Sequence, residues 1–116
     1  MSLSRKSQTS LGSRLRARRE ELGLSLEKVG VAIGRDESSA RARISRYELG
    51  VHSPPFETVA KIAKVLNLPE AYLFCQDDRL ADIIRVVAQL PVSDQDALLR
   101  SVSERLQQLG AAPRGK

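Results

Sequence analysis

The sequence predicts an all-α fold: five helices closing one domain, followed by a two-helix C-terminal extension. Three observations carry this. Apolar residues recur at helical spacing. Long alternating β-branched stretches are missing. Gly and Pro fall between the periodic segments rather than inside them. The chain has 116 residues, the size of one small domain with a short appendage. Its apolar share of 41% is enough for a core and too high for a disordered chain.

Residues 1–9 are polar and read as a flexible N-terminal arm. The first helix covers 10–22 and stops at Gly23, a C′ residue. Ser25 caps a short second helix over 26–33, with Glu27 in its first turn. Gly34 ends that helix. Asp36 is the expected cap of a third, over 37–49, which Gly50 ends. Ser53-Pro54-Pro55 opens a fourth helix over 56–66, with apolar residues at 59, 62, 63 and 66. Asn67 takes the left-handed position, and Pro69 opens a short fifth helix to about Phe74. These elements define a domain over 10–76.

The extension covers 77–110. Asp77 caps a helix over 78–89 with apolar residues at 80, 83, 84 and 87. Pro91 breaks the chain, and Ser93 with Asp96 resembles a capping box for a last helix over 94–109. That helix carries Leu98, Leu99, Val102, Leu106 and Leu109 on one side. Gly110 ends it, and 111–116 form a tail. An antiparallel hairpin of these two helices leaves apolar surface to be covered, so the extension is expected to dimerise, with a hairpin folded back on its own domain as the alternative.

Charge is unevenly distributed. Residues 1–66 hold thirteen basic and seven acidic residues, net +6; residues 67–116 hold six and seven, net −1. A basic front suggests a polyanionic partner, with a merely solvated surface as the alternative. Aromatics are only 3%, which disfavours platforms that stack single-stranded bases. No apolar run approaches a membrane span, and no secretory segment follows Met1. Cys75 and His52 are each the only residue of their type, so no disulfide framework or Cys/His metal site is expected. Cys75 reads as a small, inert, buried residue, and Asp77, Asp78 and Asp82 as helix-capping charge. No nucleophile–base pair or phosphate-cradling loop is visible, so catalysis, cofactors and metals are not expected. The expected compartment is the cytoplasm.

The second and third helices have helix-turn-helix spacing. Counted from Leu26, the fifth residue is Gly30 and the ninth Gly34. The fifth must be small where the third helix crosses, and the ninth allows the turn. Ala40, Ile44 and Tyr47 cluster on one side of the third helix at 100° per residue and define its buried face. Ser38, Ala42, Ser45, Arg46 and Leu49 lie opposite, with Arg41 and Arg43 on the flanks.

Arg14-Leu15-Arg16, Gly23-Leu24-Ser25, Ile44-Ser45-Arg46-Tyr47-Glu48, Gly50 and the run from Val59 to Pro69 resemble the lambda-repressor-like family. This family is also described as the Cro/repressor or xenobiotic-response-element type. The resemblance covers about 10–75. It implies a five-helix DNA-binding domain, a transcriptional regulator, double-stranded DNA as partner and usually a homodimer on a palindromic operator. The family's base-reading positions match Arg41, Ala42 and Arg46, and Ser45 shares their face. Arg46 suits guanine O6 and N7, and Ala42 a thymine methyl. Backbone contacts are expected from Ser38, Arg43, His52 and Ser53. Arg19 and Glu48 match a partly buried ion pair that ties the first helix to the third.

Two departures stand out. The second helix starts with Leu26 where the family often has a glutamine. The turn is four residues longer than the family norm within 35–39, either looped out or, as Asp36 suggests, an extra turn on the third helix. The alternatives to a DNA-binding regulator are a protein-interaction adaptor or coactivator and an antitoxin on the same fold. No small-molecule effector is evident.

Overall fold

The computed structural model describes residues 3–110, all of whose regular elements are helical: α1 Leu3–Glu21, α2 Leu26–Ala32, α3 Glu37–Glu48, α4 Phe56–Leu66, α5 Glu70–Phe74, α6 Asp78–Val87 and α7 Val92–Gln108. The expected tail, 111–116, lies outside the described residues. Two compact units divide the chain, the first ending at Arg85 and the second beginning at Val86.

The first unit is built around an aliphatic core. Leu15, Val29, Ile44, Val59, Ile62, Leu66 and Leu73 have essentially no exposed surface. Each such side chain contributes about 1.5–3 kcal/mol by leaving water. The three inward positions of α3, Ala40, Ile44 and Tyr47, are all buried, which leaves the opposite face of that helix outside.

The helix ends explain how this short sequence reverses direction repeatedly. After α2, Gly34 sits at φ +98°, and its N–H bonds Val31 O while Arg35 N–H bonds Gly30 O. These two bonds satisfy carbonyls that the helix end would otherwise leave bare. Gly23–Leu24 and Gly50–Val51 close α1 and α3 with the same pair of bonds, and Asn67–Leu68 closes α4 with Asn67 at φ 56°. Close approach is a separate demand at Gly30. A Cβ there would lie 2.6 Å from Ala40 Cβ and 2.7 Å from Ala40 O. The α2–α3 crossing therefore admits hydrogen only.

The structure departs from sequence expectation in several places. Helix α1 begins at Leu3, so most of the expected arm is helical. The residues 37–39 of the lengthened turn are helical, which makes the insertion an extra N-terminal turn of α3. Asp36 precedes that turn, but its side chain makes no capping bond. Helix α7 begins at Val92 after Pro91, so Ser93 lies inside the helix and does not cap it. Proline is well suited to this start because it lacks the donor that a helix start leaves unsatisfied.

Helix α6 departs most. Asp77 caps it, accepting from Leu80 N–H at 3.0 Å. Its first two turns belong to the first unit: Ala81 is fully buried in the core, with Ile84 packed alongside. The core thus extends past the expected boundary at residue 76. Leu80 and Ile83, expected on one stripe with Ile84, are half exposed. In the second unit, Gln95 Nε2 donates to Val87 O and Leu90 O, tying the start of α7 to the preceding turn. No residue of α7 is buried.

Candidate nucleic-acid interface

Helix α3 presents Ser38, Arg41, Ala42, Arg46 and Leu49 on its exposed side. Ser45 and Arg43 are half-buried, so neither is as free as the helical wheel suggests. Arg43 Nε is buried with no hydrogen-bond acceptor among the described residues. His52 and Ser53 are exposed in the loop after α3. That loop is folded back on the helix, because Val51 and His52 N–H groups both donate to Arg46 O. The backbone of Arg46 is thereby fixed while its side chain remains outside.

The arginines fall into two groups. Arg14, Arg16, Arg18 and Arg19 of α1 are engaged within the chain. Arg19 donates to Glu48 from Nε at 2.6 Å and from Nη2 at 3.1 Å, and to Leu24 O from Nη1 at 2.9 Å. Its pKa is raised, first by the Glu48 hydrogen bond, which outweighs the opposing effect of burial. Arg18 donates to Leu66 O at the end of α4 and pairs with Glu21. Arg16 pairs with Glu20. Arg14, part of the Arg14-Leu15-Arg16 motif, is buried. Its Nη1 donates to Tyr72 O and Cys75 O at the end of α5, and its Nη2 reaches Asp78 Oδ1 at 2.7 Å. Three of the basic residues in 1–66, Arg14, Arg18 and Arg19, therefore close helix ends rather than facing outward.

The arginines of α3 form the second group. No carboxylate lies within ion-pair distance of Arg41, Arg43 or Arg46 among the described residues. An exposed helix face with unneutralised guanidinium groups and small neighbours can enter a groove and meet phosphates or base edges.

The Arg14 and Arg18 contacts join residues 48–64 positions apart. Nothing in local periodicity marks them. The one sequence signal for Arg14 is its place beside the apolar Leu15.

No cluster of three or more His, Cys, Asp or Glu able to hold a metal occurs among the described residues. No described helix is long and apolar enough to cross a membrane.

Residues 15–73 match the HTH_3 helix-turn-helix family. An uncharacterized HTH-type transcriptional regulator of Sinorhizobium medicae (strain WSM419) is 34% identical over 64 residues, 55% of this chain and 43% of that protein. The chain thus matches under half the length of that relative. The Vibrio cholerae cryptic phage CTXphi transcriptional repressor RstR is 33% identical over 91 residues, 74% of this chain and 78% of the repressor. Among solved structures, the transcriptional regulator BswR superposes with a TM-score of 0.77 at 39% identity, covering 84% of this chain and 96% of BswR. The turn geometry, the buried face of α3 and these matches agree: the chain belongs to the HTH_3, lambda-repressor-like family of helix-turn-helix transcriptional regulators, which are not enzymes.

Proposed function

We propose that this chain binds double-stranded DNA in a sequence-specific manner, as a cytoplasmic homodimer on a palindromic operator. The observation that carries the reading is the exposed face of α3, where Arg41 and Arg46 have no acidic partner among the described residues, while Arg14, Arg16, Arg18 and Arg19 of α1 do. Arg46, Arg41, Ala42 and Ser45 read bases. Arg46 is the bidentate guanine reader and Ala42 the thymine-methyl contact. Ser38, Arg43, His52 and Ser53 hold the backbone, which sets register but carries no base identity. The match to a phage repressor supports a repressor role. An adaptor would need an apolar docking face on α3, and Arg41, Ala42 and Arg46 do not provide one.

The homodimer reading rests on apolar surface that the monomer leaves in water. Leu98, Leu99, Val102 and Leu106 of α7 and its C-cap Leu109 are all exposed, as are Leu80 and Ile83 of α6. Most helical stability in proteins comes from packing of an amphipathic face, so the apolar stripe of α7 calls for a tertiary partner. A second copy supplies the same apolar stripe, and the region's near-neutral charge does not oppose self-association.

Selection of bound sequences from random duplex DNA tests the first part. A palindromic consensus is expected. Its affinity should fall with salt at a log–log slope of about −0.9 per phosphate contact. Failure of micromolar protein to retain any duplex at low salt contradicts the reading. Sedimentation of the full chain tests the second. A dimer is expected at tens of micromolar protein, and a monomer from Leu99→Glu, whose exposed site spares the core. A monomeric wild type contradicts it.

A further inference from the structure

We infer that Arg85 and Glu21 are positioning residues that fix α6 to the DNA-binding domain and thereby set the spacing of DNA half-sites the dimer accepts. The inference rests on the homodimer reading above and adds what determines its geometry.

Arg85 lies two turns into α6. Its Nη2 donates to Glu21 Oε1 at 3.1 Å, and its guanidinium lies 5.4 Å from the centroid of the Tyr72 ring. Arg14 places a second guanidinium 5.2 Å from the same centroid and pairs with Asp78, the first residue of α6. Between these two polar attachments, Ala81 is fully buried. Asp78, Ala81 and Arg85 recur at helical spacing, so one face of α6 is attached to the domain at both ends and in the middle. Leu80 and Ile83 lie half exposed, on the surface offered to a second copy.

Helix α1 carries both sets of attachments. Glu21 reaches α6, while Arg19, two residues earlier, holds Glu48 at the end of α3. Gly12 brings the two helices together again, since a Cβ there would lie 2.3 Å from Glu48 O. The exposed face of α6 is therefore joined to the reading helix through one continuous helix, with an ion pair at each junction. Rotation of α6 is opposed by Ala81 in the core and by the Arg14 and Arg85 guanidinium groups at the Tyr72 ring, and the partly exposed Arg85–Glu21 pair sets the angle between them. Inserting one base pair moves the second half-site by about 3.4 Å and turns it by roughly 35°. A rigid strut cannot follow that displacement without losing contacts on one side.

Arg85 and Glu21 suit a test because neither forms the core. Binding of the full chain is measured on duplexes carrying two selected half-sites whose separation is varied one base pair at a time. A duplex with a single half-site and sedimentation of each protein accompany it. The wild type should prefer one spacing and lose about tenfold in affinity for each base pair added or removed, comparable to a mismatched site. Arg85→Ala and Glu21→Ala should remain dimeric, bind the single half-site as the wild type does, and lose less than about threefold per base pair. Dimeric variants that keep the sharp wild-type profile overturn the inference and leave the homodimer reading intact. So does a dimeric wild type indifferent to spacing. Variants that become monomeric also overturn it, because the residues would then hold the interface rather than orient it. A monomeric wild type overturns the homodimer reading and this inference with it.

Discussion

Arg19 and Glu48 join the first helix to the last residue of the reading helix through two parallel N–H···O contacts, at 2.6 and 3.1 Å. Only 12% of the Arg19 side chain and 6% of the Glu48 side chain remain exposed. Removing either partner alone strands a buried charge, which costs about 3–5 kcal/mol. An exposed pair would cost about 0–1 kcal/mol. Denaturant unfolding of Arg19→Ala, Glu48→Ala and the double variant should show strong coupling, with the double variant losing less than the sum. Additive losses would contradict the pairing.

The α2–α3 crossing makes a second prediction. Gly30→Ala sets a methyl group against Ala40 backbone and side chain, where neither neighbour has a flexible end to move. Overpacking of this kind costs about 1–3 kcal/mol. Thermal unfolding should show that loss for Gly30→Ala. An unchanged melting temperature would mean that the two helices separate freely.

Acid should loosen the attachment of α6. The Arg18 hydrogen bond, followed by that of Arg85, holds the Glu21 carboxyl below its ordinary value. A carboxyl whose pKa is lowered on folding adds stability above its unfolded value, about 4.3, and loses it as pH falls through the folded value. The stability difference between wild type and Glu21→Gln should therefore be present at neutral pH and shrink below about pH 4. A difference that stays constant down to pH 3 contradicts the ionic contribution.

Local chemistry made much of the fold legible. Gly23, Gly34, Gly50 and Asn67 all occupy positive-φ positions at helix ends, as their placement after periodic apolar runs predicts. Ala40, Ile44 and Tyr47 face the core because helical spacing leaves one side of α3 for them. What escaped was non-local. Arg14 and Arg18 lie in the basic segment 1–66, where charge alone marks no internal role, yet they close helix ends far along the chain. The packing of α6 on the core escapes sequence for a related reason. Periodicity marks Leu80, Ile83 and Ile84 alike, but Ala81 is small enough to let the helix approach the core, and that turns Leu80 and Ile83 outward.

Reading and holding by α3 are separated most directly by one comparison: the affinity of wild type, Arg46→Ala and Arg43→Ala for the selected duplex and for random duplex. Arg46→Ala should lose roughly 1–3 kcal/mol on the selected duplex, with tolerance gained at one base position. Arg43→Ala should weaken both duplexes about equally, because a phosphate contact is blind to sequence. Equal losses on both duplexes from Arg46→Ala, or no loss at all, would contradict the claim that the exposed face of α3 reads DNA.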